Sequence, residues 1–113
     1  MGIKRNTTPT IPITVHLPYD EIKKIEFIFK SSTDEKAPVL LHKSYSKNDM
    51  KIKEGDVSER FTVLVELSCE ETLKLPAGKI YVDSRPVLEG GKIPATKKAS
   101  FYVAETFFNE EDK

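Results

Sequence analysis

Cys69, Glu70 and Glu71 bring a nucleophile and two carboxylates together in one short stretch. A thiol at a helix N-terminus gains acidity, and paired carboxylates can act as general acid and base. The local pattern opposes both chemistries. The carboxylates beside Cys69 disfavour its thiolate. Adjacent residues on a helix do not face each other, so Glu70 and Glu71 cannot flank one substrate. Ser68-Cys69-Glu70-Glu71 matches a capping box instead. In that motif the Ser68 hydroxyl accepts from the Glu71 N–H, and the Glu71 carboxylate reaches back to the Ser68 N–H. Ser68 and Glu71 are therefore expected to cap a short helical turn near residues 69–75 and to catalyse nothing.

The other reactive residues are scattered. His16, His42 and Cys69 share no ligand spacing, so neither a metal nor a cofactor is expected. Gly90-Gly91-Lys92 has two residue types of a phosphate loop but not its spacing. It reads as a hairpin turn, where glycine supplies the positive φ. Lys92, Lys97 and Lys98 read as a solvated strand face that discourages edge pairing. Tyr45, Tyr81 and Tyr102 are the pieces available for a carbohydrate or peptide platform, and the absence of tryptophan counts against sugar. Phe107 and Phe108 are adjacent, so on a strand they point opposite ways, and one is free to dock on a neighbour. Tyr102, Phe107 and Phe108 are the interface candidates.

The elements that carry these residues are strands. Ile11, Ile13, Val15 and Leu17 alternate with polar positions, with Pro9 and Pro12 placing that strand at a sheet edge. Ile25, Phe27 and Phe29 alternate next, and Ile28 interrupts the polar side as if a loop covered it. A polar connection over residues 31–36 leads to the short apolar run Val39 to Leu41. Met50 and Ile52 suggest a brief strand before the Glu54-Gly55-Asp56 turn. Phe61, Val63, Val65 and Leu67 alternate again and lead into the capped turn. Pro76 and Gly78 stop that turn, and Ile80 to Arg85 returns to strand. Ala99, Phe101 and Val103 make the last one. Six or seven short strands with turn signals about every ten residues predict an all-β fold. The expected architecture is an immunoglobulin-like antiparallel β-sandwich of about seven strands with one helical turn.

At 113 residues this is a single domain, 1–113, with 1–6 and 109–113 expected to be flexible. Hydrophobic residues make up 38% and charged residues 32%, which favours a thin two-layer core over a helical globule. Formal net charge is zero, so a nucleic-acid footprint is not expected. Weak self-repulsion leaves a homo-oligomer open. No stretch approaches the roughly 20 apolar residues of a membrane span. One cysteine excludes an intramolecular disulfide. Lys4 and Arg5 precede no apolar run, so no signal peptide is expected and synthesis is assigned to the cytoplasm.

The central stretch, Phe61 through Ser68-Cys69-Glu70-Glu71-Thr72 to Leu75, resembles a segment of short phage and prophage structural proteins of Gram-positive bacteria. In those proteins a strand ends in a Leu-Thr-Gln-Glu-Glu-Thr-like turn. Lys79 to Val87 is similar to their following strand, which ends in Gln-x-Arg. Gly90 to Thr96 resembles their Asp-Gly-x-x-x-Ala-Thr hairpin, and Arg5 to Thr10 their Arg-Gly-Thr-Thr-Pro-Thr opening. Cys69 and Ser84 depart from the pattern. The resemblance implies a virion component of the tail or baseplate, similar in kind to the first β-sandwich domain of upper baseplate proteins. Its partners would be other virion proteins or copies of itself. It implies no catalytic residue. The alternative is a carbohydrate- or peptide-binding β-sandwich module.

Overall fold

The alternation of apolar and polar residues is realised as two facing sheets. The computed structural model describes residues 2–94 and 98–104. Its strands are β1 (Gly2–Lys4), β2 (Thr10–Val15), β3 (Ile22–Lys30), β4 (Leu41–Ser46), β5 (Phe61–Glu66), β6 (Gly78–Leu88) and β7 (Ala99–Ala104). One sheet runs β1-β7-β6-β3-β4, and the other pairs β2 with β5. All pairings are antiparallel except β1 with β7. The second and fifth strands thus face a sheet built from the third, fourth, sixth and seventh, the strand arrangement of an immunoglobulin-like sandwich. The disulfide and tryptophan common in antibody domains have no counterpart here, since the sequence holds one Cys and no Trp. Packing takes their place: Ile13, Phe27, Phe29, Val63, Ile80 and Val82 are buried in one shared core.

Each strand buries the side its sequence marks out. In β2, Ile11, Ile13 and Val15 are buried and the residues between them exposed. Phe61, Val63 and Val65 do the same opposite them on β5. Where the sequence suggests a brief strand at Met50 and Ile52, Ile52 makes a single isolated bridge to Val63 and no strand forms. The Leu88 to Lys92 turn closes with the Leu88 N–H donating to the Lys92 carbonyl at 2.8 Å, and Gly90 and Gly91 take φ of 93° and 85°. Among the described residues after that turn, pairing with β6 runs from Ala99.

The N-terminal lead-in is where the expectation fails. Residues 1–6 read as flexible, yet Gly2–Lys4 forms β1 alongside β7 and Ile3 is buried. Arg5 and Asn6 supply the anchors. The Arg5 N–H donates to the Ala104 carbonyl at 3.0 Å, and the Asn6 N–H donates to Thr72 Oγ1 at 2.9 Å. Asn6 takes the left-handed conformation, φ 59°, that turns the chain from one sheet toward the other. Residues 109–113 lie outside the described residues.

Candidate interaction face

Two polar assemblies stand out, and they differ in whether their charges are used. The first surrounds the helix α1 (Cys69–Leu73), which bridges β5 and β6. Both halves of the capping box form: Ser68 N–H donates to Glu71 Oε1 at 2.9 Å, and Glu71 N–H to Ser68 Oγ at 3.1 Å. Lys43 Nζ reaches the same carboxylate at 3.0 and 2.9 Å. Burial pushes the Glu71 carboxyl up, but the Ser68 bonds and Lys43 together outweigh it and hold it below the ordinary range. Thr72 is fully buried, and its hydroxyl donates to the Cys69 carbonyl at 2.8 Å while accepting from Asn6. Arg5 Nη2 donates to the Leu73 carbonyl at 3.1 Å. This corner fastens the N-terminal strand, α1 and β4 together. Ser68 and Glu71 act there as expected. Thr72 and Lys43 are the members that spacing alone did not mark.

The second assembly is the outward side of the five-stranded sheet. Strand alternation puts Lys24, Glu26, Ile28 and Lys30 of β3 on that side, with Lys79, Tyr81, Asp83 and Arg85 of β6. Register aligns Glu26 with Arg85, Ile28 with Asp83, and Lys30 with Tyr81. A groove of about 480 Å3 lies over Ile28, Tyr81 and Arg85, walled by Ser32 to Glu35 on one side and Ile93, Pro94 and Lys98 on another. Lys98 Nζ donates to the Thr33 carbonyl at 3.3 Å and Lys30 Nζ to the Glu35 carbonyl at 3.0 Å, so both lysines hold loop backbone. Ile28 is half-buried beneath these loops, as its break in the polar pattern suggested.

Tyr102 is 59% exposed and shares this outward side, opposite Lys79. Phe107 and Phe108 lie outside the described residues. The three tyrosines do not make one platform. Tyr45 turns inward and meets Phe27 edge to face, with ring centroids 6.1 Å apart, whereas Tyr81 and Tyr102 face out. Cys69 is half-buried in α1. Among the described residues no three His, Cys, Asp or Glu side chains gather as a metal site.

No protein-family model and no curated protein matches the sequence. Two solved structures are similar in outline. One comes from photo-crosslinking of multimeric cell-adhesive interactions of VGSC beta subunits, at 14% identity over 100% of this chain and 91% of that one, with a TM-score of 0.48. The other is the extracellular domain of the voltage-gated sodium channel beta4 subunit as a parallel homodimer. It is 14% identical over 94% of this chain and 88% of that one, with a TM-score of 0.40. The fold assignment rests on strand order and register, not on these likenesses.

Proposed function

We propose that this chain is a non-enzymatic structural module that works by packing against other proteins, in the tail or baseplate of a phage or prophage virion. The observation that carries the packing role is the outward side of the five-stranded sheet. It combines half-buried Ile28 and Tyr81, exposed Tyr102 and Ile93, and charges of both signs on one broad surface. Exposed apolar groups interleaved with charge suit a protein contact better than a small-molecule cleft. The resemblance that runs from Arg5 to Thr96 supports the virion setting, with synthesis in the bacterial cytoplasm and other virion proteins or further copies as partners. The carbohydrate- or peptide-binding reading loses one of its three aromatic pieces, because Tyr45 packs inward on Phe27.

Particles released by the strain that carries the gene provide the test. Mass spectrometry should find the chain in purified particles at a fixed ratio to the tail proteins. A chain that is abundant in the lysate and absent from intact particles would overturn the virion assignment.

A further inference from the structure

The edges of the two sheets are guarded unequally. Strand β1 is three residues long, too short to template a neighbour. On β2, the Leu67 N–H donates to the Pro9 carbonyl, which turns the odd-numbered backbone groups toward β5. Pro12 therefore occupies the free edge and removes a donor from it. The far side of β5 is taken up by Lys51 and Lys53, whose backbone groups bond those of Leu64 and Thr62. The β4 edge has no such cover among the described residues. It is six residues long, holds no proline, and pairs only with β3. Lys43 is its one charge likely to repel a strand by type, but the side chain turns inward and Glu71 holds the ammonium.

Register fixes which backbone groups that edge offers. The Glu89 N–H donates to the Glu21 carbonyl at 2.9 Å, so the odd-numbered residues of β6 face β3. Beyond the irregularity between Ile22 and Lys24, they stand opposite the even-numbered residues of β3. The odd-numbered residues of β3 are thus left to bond Leu41, Lys43 and Tyr45. The Leu40 N–H, on the Phe29 carbonyl at 2.8 Å, agrees with this pattern. His42, Ser44 and Ser46 therefore turn their N–H and carbonyl groups to the free edge. Of these groups, only the Ser46 carbonyl is engaged among the described residues, by the Met50 N–H at 3.2 Å.

Resting on the packing role proposed above, we propose that a second copy of this chain pairs here, β4 against β4, through a two-fold axis at Ser44 perpendicular to the sheet. The pattern of free groups is its own complement under that axis. Ser44 of each copy donates to the Ser44 carbonyl of the other. His42 donates to Ser46 of the second copy, whose carbonyl has a second lone pair, and Ser46 donates to His42. Every edge N–H then has an acceptor, and the five-stranded sheet continues into the second copy. The side chains fit the same register. On the outward side, Ser44 meets Ser44 and His42 meets Ser46, so no charge faces its own kind. On the inward side, Lys43 comes opposite Tyr45 of the second copy, and each Lys43 remains paired with its own Glu71. The chain has no net charge to oppose its own approach. One strand edge buries less than the roughly 800 Å2 per partner of stable complexes, so the expected dissociation constant is on the order of 0.1 mM.

Sedimentation equilibrium of the full chain up to about 1 mM, with amide exchange read at both ends of that range, tests the arrangement. The wild type should form dimers. In dilute solution the Lys43 and Tyr45 amides should be protected and those of His42, Ser44 and Ser46 should exchange freely. In concentrated solution all five should be protected. Ser44→Pro deletes an N–H that bonds nothing within the chain, so it should weaken association at least about tenfold. Cross-linking covers the case in which that variant fails to fold. In a Cys69→Ser background, Ser44→Cys should form a disulfide-linked dimer under mild oxidation much faster than His42→Cys, because the axis brings only position 44 against itself. A wild type that stays monomeric would overturn the proposal, even if the edge accepts a strand from another protein. So would dimers with unprotected edge amides, a folded Ser44→Pro that still dimerises, or equal cross-linking at 42 and 44. A monomer that is nevertheless found in particles would sink the dimer and leave the packing reading standing. Edge-paired dimers with no chain in particles would do the reverse.

Discussion

The α1 corner and the outward sheet face hold similar side chains in opposite circumstances. At the corner, Lys43, Glu71, Ser68 and Thr72 satisfy one another within the chain. On the face, Arg85 and Asp83 line the groove beside Ile28 and Tyr81 without an ion pair among the described residues. A satisfied polar network in a partly dry setting stabilises one conformation. Charges left unpaired on a broad, partly apolar surface do little for the monomer, and their value appears only when another surface arrives. Two groups of charged residues, alike in composition, are thus a fastening in one place and an exposed, unpaired set in the other, which is the basis of the docking role proposed for that face.

Three measurements would break or sharpen that contrast. The largest effect is expected at Glu71. Glu71→Ala removes half the capping box, about 1 kcal/mol, and the partly buried Lys43 pair, about 1 kcal/mol more. Chemical denaturation should show a loss of about 2 kcal/mol, roughly twice that of Ser68→Ala. Equal losses in the two variants would mean that Lys43 contributes nothing.

Acid should act through the same carboxylate. The Glu71 carboxyl lies below its ordinary value of 4.5 when folded, so its contribution is fully present above that value and fades as pH falls through the folded value. Thermal melts recorded from pH 6 to pH 3 should therefore fall more steeply below about pH 4.5 for the wild type than for Glu71→Gln. Parallel curves would remove Glu71 from the acid response.

The smallest effect belongs to the face. Arg85→Ala should change monomer stability by less than about 0.5 kcal/mol, since the side chain is exposed and unpaired among the described residues. A loss comparable with that of Glu71→Ala would place Arg85 in the fold's own fastening and erase the contrast.

Much of this could be read from the sequence. Alternation in β2, β3, β5 and β7 named the buried side of each strand, because a two-residue period leaves one way to hide a row of apolar groups. Ser68 and Glu71 declared the cap because both of its hydrogen bonds join residues three apart. The lead-in reads as a loose tail because its anchors are remote: Thr72 lies 66 residues from Asn6. Nothing near Gly2 announces a strand whose partner is β7. Lys43 and Thr72 escape a local reading for the same reason.

The sequence by itself determined which side of the alternating strands is buried and where the short helix begins, since both depend on neighbours a few positions away. Only the tertiary structure decided which row of β6 stands beside which row of β3, and so that Arg85 shares a row with Glu26. Register between strands some 60 residues apart is set by packing of the whole core, and no local spacing encodes it.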